Sequence, residues 1–340
     1  MQAFYYQRAS DSVTALRAAQ AQAGQANIAP TSAAAQFIAG GTQMLDLMKL
    51  GAMTAGTLVD LNDLQTSNGQ IDASSAGLRL GALVRMTQAA EHPDIQRDYP
   101  VIAQSLSLAA SPQIRNMASL AGNILQRTRC AYFRETSYAS CNKRAPGTGC
   151  SALDGVNRKH AVLGTGDRCI AAYPGDFAQA LIALGAQVHT DAPDGGRTIE
   201  FADLHTGPEH PEVETVLRPG ELITYLTVPS GPWTRRSLYV KVRDRQSYAF
   251  GLATAAVAVH MEGGTVAEAR VGLGGVAYRP WRAHEAEDVL KGKQLTEEAA
   301  AAASRAAFAG AKPRRDNAYM VALGQRTLTH ALLQAGKLEV

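Results

Sequence analysis

One stretch decides the fold: Gln36-Phe37-Ile38-Ala39-Gly40-Gly41-Thr42-Gln43-Met44. Its apolar start predicts a short strand over 36–39, and the two glycines lead into a predicted helix over 43–50. Such a turn exposes backbone N–H groups at the positive end of a helix dipole, where phosphate groups bind. The side chains of Thr42 and Gln43 would add donors. The alternative is a tight turn in which Thr42 merely caps the helix.

The glycine stretch does not match the two common nucleotide-binding motifs. No Gly-Lys-Ser/Thr follows it, as a Walker A loop requires, and it lacks the Gly-x-Gly-x-x-Gly of a Rossmann fold. A second segment of small residues, Ser119-Leu120-Ala121-Gly122-Asn123, could also approach a ligand closely, or it could be an ordinary loop. Neither segment identifies a ligand by itself, and the ordinary turn or loop remains the alternative for each.

All four cysteines of the chain lie in one polar segment, at Cys130, Cys141, Cys150 and Cys169. Their spacings are C-x10-C, C-x8-C and C-x18-C, without the closely spaced pairs that structural zinc sites use. His160 falls between the third and fourth cysteines. Iron–sulfur clusters need four thiolates but tolerate varied spacing. The pattern therefore leaves three interpretations: an iron–sulfur cluster, a zinc site, or free cysteines that could also pair as two disulfides.

Basic residues surround this segment and favour the cluster, because they would offset the negative charge of a thiolate-ligated centre. They are Arg127, Arg129, Arg134, Lys143 and Arg144. A chain of 340 residues also buries enough apolar surface to fold without disulfides, which weakens the disulfide interpretation.

Composition excludes other function classes. The net charge is only +3, with Lys and Arg scattered, so no basic face predicts binding to nucleic acid. The most apolar run, 252–261, is too short to span a bilayer. The first residues, 1–8, lack the pattern of a signal peptide. The length predicts about two domains.

Helix and strand patterns alternate along the chain, which predicts a mixed α and β protein. An alanine- and glutamine-rich stretch over 20–36 is expected to form a loop insertion, and a Pro-Ser-Gly-Pro linker lies at 229–232. Strands are predicted at 57–61, 78–83, 187–190, 237–243, 252–261 and 267–276. Helices are predicted near 12–19, 87–90, 101–109, 177–184 and 297–309, with three helices closing the chain.

Several segments occur in a fixed order that resembles a known family. They are Ile38-Ala39-Gly40-Gly41-Thr42-Gln43, Pro112-Gln113-Ile114-Arg115-Asn116, Ser119-Leu120-Ala121-Gly122-Asn123-Ile124, Tyr173-Pro174-Gly175-Asp176 and Leu273-Gly274-Gly275-Val276-Ala277. This series resembles the FAD-binding medium subunit of the xanthine dehydrogenase and molybdenum hydroxylase family, over nearly the whole chain.

The resemblance implies an α+β fold with two domains. Residues 1–232 would form a vanillyl-alcohol-oxidase-type FAD-binding domain with subdomains of about 1–56 and 57–232. The cysteine-rich insert, residues 126–170, would lie within the second subdomain. Residues 233–340 would form a smaller C-terminal α/β domain of carbon monoxide dehydrogenase flavoprotein type.

The cysteine-rich insert resembles a narrower branch, the bacterial periplasmic aldehyde oxidoreductases, whose flavin subunit holds an additional [4Fe-4S] cluster. The resemblance implies that Cys130, Cys141, Cys150 and Cys169 bind this cluster. The family usually carries an Asp just beyond the Gly-Asn pair that reaches the flavin. Here that region contains Arg129 and Tyr132, so the contact must be made differently.

The family pattern also implies which residues contact FAD. The first loop would wrap the pyrophosphate through Phe37, Ile38, Ala39, Gly40, Gly41, Thr42, Gln43 and Met44. Ser119, Gly122 and Asn123 would meet the diphosphate or the ribityl chain, and Ile223 and Lys241 would approach the flavin. The alternative for Lys241 is a surface position on an edge strand. Asp176 is expected to cap the N-terminus of a helix beside the site.

The resemblance implies an electron-transfer subunit without catalytic residues of its own. Its partners would be a small subunit with [2Fe-2S] clusters and a large molybdenum-cofactor subunit that oxidises aldehydes to carboxylic acids. Electrons would pass from the [2Fe-2S] clusters to FAD and to an external acceptor. The alternatives are a subunit of another molybdenum hydroxylase (xanthine, carbon monoxide or aromatic-CoA type), a self-contained flavin oxidoreductase, or a binding protein without chemistry. No His/Glu pair or Cys base near the motifs supports the self-contained oxidoreductase.

The expected location follows from the same branch. Because residues 1–8 lack a signal pattern, we expect periplasmic export of the folded complex on a partner that carries a twin-arginine signal. A permanently cytoplasmic complex is the alternative.

Overall fold

The structure is a computed structural model that describes residues 1–20 and 30–340. Residues 21–29, within the expected loop insertion, lie outside the described residues. The strands are β1 Tyr5–Arg8, β2 Ala35–Ile38, β3 Thr57–Asp60, β4 Ile71–Ser74, β5 Gly77–Gly81, β6 Gln187–Asp191, β7 Thr198–Glu200, β8 Leu222–Pro229, β9 Ser237–Val242, β10 Ala253–Glu262, β11 Thr265–Gly274 and β12 Trp281–Arg282. The helices are α1 Ser12–Gln20, α2 Met44–Lys49, α3 Gln65–Asn68, α4 Met86–Glu91, α5 Pro93–Asp98, α6 Pro100–Ser107, α7 Pro112–Met117, α8 Leu120–Ile124, α9 Ala131–Arg134, α10 Phe177–Leu184, α11 Phe201–Leu204, α12 His284–Leu290, α13 Glu297–Ala307 and α14 Tyr319–Gly336.

A three-stranded parallel sheet forms the N-terminal unit, with β3 between β1 and β2. Thr57 pairs with Tyr5 on one side and with Ala35 on the other, so β3 joins this sheet just beyond the predicted boundary at about residue 56. The first subdomain extends through β3. Helix α1 packs on this sheet through its buried Ala15 and Leu16.

The second sheet has five antiparallel strands in the order β4-β5-β8-β6-β7. Its β8 pairs with β5 and β6, although only the start of this strand was singled out in the sequence, as a flavin contact. Helix α10 is buried along its whole length and packs beneath the sheet, as its mostly apolar sequence requires. It ends at Gly185, whose φ of 69° is the left-handed conformation common after a helix C-terminus.

The C-terminal sheet is antiparallel in the order β12-β11-β10-β9 and joins two cores. Side chains along a strand point alternately to its two faces. On β10, Ala256 and Ala258 belong to the core shared with α10, while Val257 and Val259 belong to the core beneath α12, α13 and α14. Both faces of this sheet are therefore covered.

A helix that crosses a bilayer must be both long and predominantly apolar. Within residues 1–20 and 30–340, none of the helices is both long enough and apolar enough to span a membrane.

Candidate functional site

A cavity of about 1490 Å³ lies where the N-terminal sheet, the second subdomain and the C-terminal domain meet. This volume exceeds the roughly 300–1,000 Å³ of sites for drug-sized ligands, so a dinucleotide fits. Most predicted FAD residues line it: Phe37, Ile38, Ala39, Gly41, Thr42, Gln43, Met44, Ser119, Gly122 and Asn123. The structure therefore brings the two small-residue segments of the sequence to one wall.

The two glycines of the first loop have different roles. A Cβ on Gly40 would overlap the carbonyl oxygen of Met117, so Gly40 is required by close backbone packing behind the cavity. Gly41 has a φ of +68° and lines the cavity itself. Only glycine, and less readily Asn or Asp, adopts this conformation at low cost. Gly40 thus supports the loop, while Gly41 leaves its backbone open to a ligand.

Gln43 binds the cysteine-rich insert, not the helix that it precedes. Its Oε1 accepts hydrogen bonds from the Arg127 amide and from Arg129 Nη1, both at 2.9 Å. Gln43 is the N-cap residue of α2, and within the described chain its side chain makes no capping bond. The alternative in which Thr42 caps the helix is therefore wrong. These hydrogen bonds join the first loop, residues 37–44 (the flavin loop), directly to the cysteine-rich insert.

The second segment has one polar atom that a ligand would satisfy. Ser119 Oγ accepts from the Gly122 amide at 3.2 Å and so starts α8. Asn123 Oδ1 is buried and has no hydrogen-bond partner among residues 1–20 and 30–340. Because buried polar atoms are nearly always bonded, this orphan oxygen on the cavity wall fits a hydroxyl or N–H donor of FAD.

Two predicted flavin contacts lie away from the cavity wall. Ile223 is buried on β8, where it pairs with Thr190 and packs in the main core. The Lys241 side chain is 1% exposed, and its Nζ donates to Asp176 Oδ2 at 2.7 Å and to the carbonyl of Leu108 at 3.0 Å. Lys241 does lie on an edge strand, as the alternative states, but it is not a surface residue. Its ammonium group is buried in the ion pair with Asp176.

Asp176 lines the cavity and occupies the N-cap position of α10, as predicted, but its side chain does not act as a cap. In the part of the chain described, its carboxylate makes no capping bond to α10. It accepts from Lys241 and, at 2.7 Å, from the hydroxyl of Tyr239. Burial raises the pKa of Asp176, although the Lys241 charge acts to lower it. The group is a buried hydrogen-bonded carboxylate at the floor of the site.

Arg129 lines the cavity but is not among the FAD contacts predicted from the sequence. Burial lowers its pKa to about 10, so it stays charged at neutral pH. Its guanidinium also lies 5.0 Å from the ring centroid of Phe250, which lines the cavity beside Tyr248. Arg129 stands in the region where the family pattern has an acidic residue, so this wall carries the opposite charge. A cation here suits a diphosphate or an anionic flavin.

The four cysteines are free thiols, and the fold brings them together in one region of the insert. Cys141 and Cys150 are paired by an isolated antiparallel β-bridge. Cys169 Sγ donates to Cys150 Sγ, which lowers the pKa of Cys150 to about 6 and raises that of Cys169 well above its usual value. Burial raises the pKa of Cys130 to about 11, and the charges of Cys141 and Cys150 act in the same direction. The free thiols leave the metal interpretations open.

Cys130 is the cysteine that also lines the flavin cavity. Its Sγ lies 3.2 Å from Nε2 of His160, which lines the cavity as well. In the described ranges, no three His, Cys, Asp or Glu side chains lie close enough together to bind a single metal ion. A mononuclear zinc site is therefore not preformed.

A buried charge network anchors the insert beside these cysteines. Lys143 Nζ donates to Glu214 Oε1 at 2.7 Å and to the Tyr278 hydroxyl at 3.1 Å, and Arg127 also donates to Glu214. Burial acts to lower the pKa of Lys143, but Glu214, Tyr278 and Cys169 together outweigh it and the pKa is raised. The hydrogen bond with Cys150 and burial raise the pKa of Cys169, and the Lys143 charge acts in the opposite direction. A buried cation beside four free thiols fits an anionic thiolate cluster.

Comparison with known proteins agrees with this architecture. Residues 3–231 match the FAD binding domain in molybdopterin dehydrogenase, and residues 238–335 match the CO dehydrogenase flavoprotein C-terminal domain. These matches confirm the predicted fold class.

Similar individual proteins align with most or nearly all of the chain. The chain is 43% identical over 337 residues to the aldehyde oxidoreductase FAD-binding subunit PaoB of Escherichia coli (strain K12), covering 98% of this chain and 99% of that protein. It is 28% identical over 262 residues to the carbon monoxide dehydrogenase medium chain of Afipia carboxidovorans, covering 77% and 73%. The solved carbon monoxide dehydrogenase of Hydrogenophaga pseudoflava has the same fold, with a TM-score of 0.75, 24% identity and coverage of 98% and 97%. The chain therefore belongs to the FAD-binding medium subunits of the molybdenum hydroxylase family, which are oxidoreductase subunits.

Proposed function

We propose that this chain is the FAD- and [4Fe-4S]-carrying electron-transfer subunit of a heterotrimeric molybdenum aldehyde oxidoreductase. One observation carries the proposal: the cysteine-rich insert forms part of the wall of the flavin-sized cavity, through Arg129 and Cys130. The high identity with the E. coli aldehyde oxidoreductase subunit over nearly its whole length supports the same enzyme class.

The residues that would hold FAD come from the glycine loop, the second small-residue segment and the insert. Gly41 would present backbone to the pyrophosphate, and Asn123 would accept a hydrogen bond through its orphan Oδ1. Arg129 would supply positive charge opposite the phosphates or the reduced ring. When bound, FAD supplies chemistry that accepts electrons singly or in pairs. The protein's own part is to bind, orient and shield it.

The residues that would hold the cluster are the four thiols at Cys130, Cys141, Cys150 and Cys169. Their gathering in one region and the buried Lys143 beside Cys169 support this assignment. A [4Fe-4S] cluster supplies a one-electron redox centre whose potential depends on nearby charge and hydrogen bonds. The free thiols favour it over disulfides.

The partners in this proposal are a small subunit with [2Fe-2S] clusters and a large molybdenum subunit. The aldehyde would be oxidised on the large subunit, and electrons would reach an external acceptor through FAD. The names of the relatives support this arrangement, because one of them is the medium chain of carbon monoxide dehydrogenase. A native preparation in which this chain is an active monomer with its own substrate would contradict it.

Reduction by aldehyde tests the role directly. The FAD-loaded subunit alone should stay oxidised, by its visible absorbance, with a panel of aliphatic and aromatic aldehydes under anaerobic conditions. The same subunit within the native complex should bleach. Dithionite, which should bleach both samples, is the control. Bleaching of the isolated subunit by an aldehyde would instead establish a self-contained flavin oxidoreductase.

For location, we propose periplasmic export of the assembled complex on a partner that carries a twin-arginine signal. FAD and an iron–sulfur cluster must be inserted before export, and the reducing cytoplasm keeps the thiols available until then. Deleting the partner's signal should move this subunit from the periplasmic to the cytoplasmic fraction. An unchanged distribution would contradict carried export and favour a cytoplasmic complex.

A further inference from the structure

His160 is held rigidly between the cysteine-rich insert and the cavity. The residue is 6% exposed, and its Nε2 lies 3.2 Å from Cys130 Sγ. Its backbone amide donates to the Asn157 carbonyl at 3.0 Å, and its carbonyl accepts from Asn317 Nδ2 at 3.1 Å. Two asparagines thus fix the position of the backbone, and the imidazole is aimed at the cysteine sulfur.

The protons on this imidazole can be assigned by its contacts. A ligating thiolate only accepts hydrogen bonds, so its contact with Nε2 at 3.2 Å requires the proton to be on Nε2. Nδ1 is buried and has no hydrogen-bond partner within residues 1–20 and 30–340.

We propose that His160 is a positioning residue for the cluster, whose Nε2–H donates to Cys130 Sγ and raises the cluster's reduction potential. This inference rests on the proposed [4Fe-4S] site. Reduction adds negative charge to the cluster sulfurs, and a hydrogen bond to a ligating sulfur stabilises that charge. Because His160 and Cys130 both line the cavity, this hydrogen bond is also where the cluster site and the flavin site share a wall.

The first test is an anaerobic redox titration of the cluster, monitored by EPR, on wild type, H160Q and H160L. The H160L variant removes the donor and should give a more negative midpoint potential. The H160Q variant keeps an N–H donor of similar reach and should restore most of the wild-type value. Equal potentials in all three proteins, or equal shifts in both variants, would overturn the inference.

The second test needs no substitution, so it holds even when H160L assembles no cluster. Wild type labelled with [15N]histidine should show a weak 15N coupling to the reduced cluster by pulsed EPR. No coupling would overturn the hydrogen bond, and a strong coupling would make His160 a ligand instead of a donor. Wild-type protein that contains no iron would contradict the proposed cluster itself. Failure of the proposed function is therefore distinguishable from failure of the His160 hydrogen bond, which would leave the iron content unchanged.

Discussion

Arg134 donates two hydrogen bonds to the carboxylate of Asp46, at 2.7 and 3.1 Å. This paired bond holds the pKa of Asp46 below its usual value. It joins α9 of the insert to α2, directly after the glycine loop. Together with the bonds of Gln43, it makes the shape of the flavin loop depend on the insert.

We therefore expect Asp46→Ala and Arg134→Ala each to weaken FAD binding about fivefold, since a partly exposed pair contributes roughly 1 kcal/mol or less. The double variant should be no weaker than either single variant, because both remove one interaction. Dissociation constants from flavin fluorescence titrations measure this. Lys49→Ala, on an exposed position of the same helix, is the control. Additive losses would show that the two residues act independently.

Gly41→Asp should abolish flavin retention, because a carboxylate would stand where the pyrophosphate binds. Asp and Asn both tolerate the φ of +68°, and the added Cβ would lie 3.1 Å from the flexible side chain of Leu45. Gly41→Asn is therefore a control of matched shape without the charge, and it should retain measurable flavin. The ratio of flavin to protein after desalting is the readout, with circular dichroism as the check on folding. Equal flavin in both variants would place the pyrophosphate elsewhere.

Replacing Arg129 tests the role of the buried cation. Arg129→Met should weaken FAD binding about tenfold or more, as loss of a charged hydrogen bond costs about 1.5 kcal/mol or more. Arg129→Lys keeps the charge but loses the forked geometry, so it should lie between wild type and Arg129→Met. Wild-type affinity in Arg129→Met would remove Arg129 from the flavin site.

His205 should make stability depend on pH in the acidic range. Burial lowers its pKa to about 4, while an unfolded histidine has a pKa near 6.5. The unfolded chain thus binds a proton that the folded chain refuses, and stability falls from about pH 6.5 down to about pH 4. Between pH 7 and pH 5 this group alone should cost about 2 kcal/mol in the free energy of unfolding.

Denaturant unfolding of His205→Gln at both pH values checks this expectation. The glutamine amide can still donate to the carbonyl of Ile124, as His205 Nε2 does at 3.0 Å, but it does not titrate. The variant should therefore lose less stability than wild type on acidification. His330→Gln, at an exposed position, should behave as wild type. An identical loss in His205→Gln and wild type would contradict the assignment.

Local patterns in the sequence predicted much of the fold. The predicted helix 177–184 coincides with α10, because a mostly apolar run before a glycine specifies a buried helix and its end. The hairpin of β10 and β11 turns at Gly263 and Gly264, as the Gly-Gly pair predicts. Strand β1 was missed because all four of its residues are exposed, so it shows no alternation.

The missed parts of the site depend on long-range contacts. Lys241 finds its carboxylate partner in Asp176, which is distant in sequence, so its burial could not be inferred locally. His160 was noted only for its place among the cysteines, and its contact with Cys130 depends on how the insert folds back. The sequence did contain a sign that Arg129 belongs to the site, because the family pattern has an acidic residue in that region. A basic residue there indicates that the contact with the flavin is made differently.

The central claim is that this chain holds both FAD and a [4Fe-4S] cluster, and cofactor content after anaerobic purification tests it most directly. Wild type should contain about four iron atoms, about four acid-labile sulfides and one FAD per chain. Single Ser variants of Cys130, Cys141, Cys150 and Cys169 should each lose most of the iron. Wild type without iron or sulfide, or four Ser variants that all keep full iron, would contradict the account.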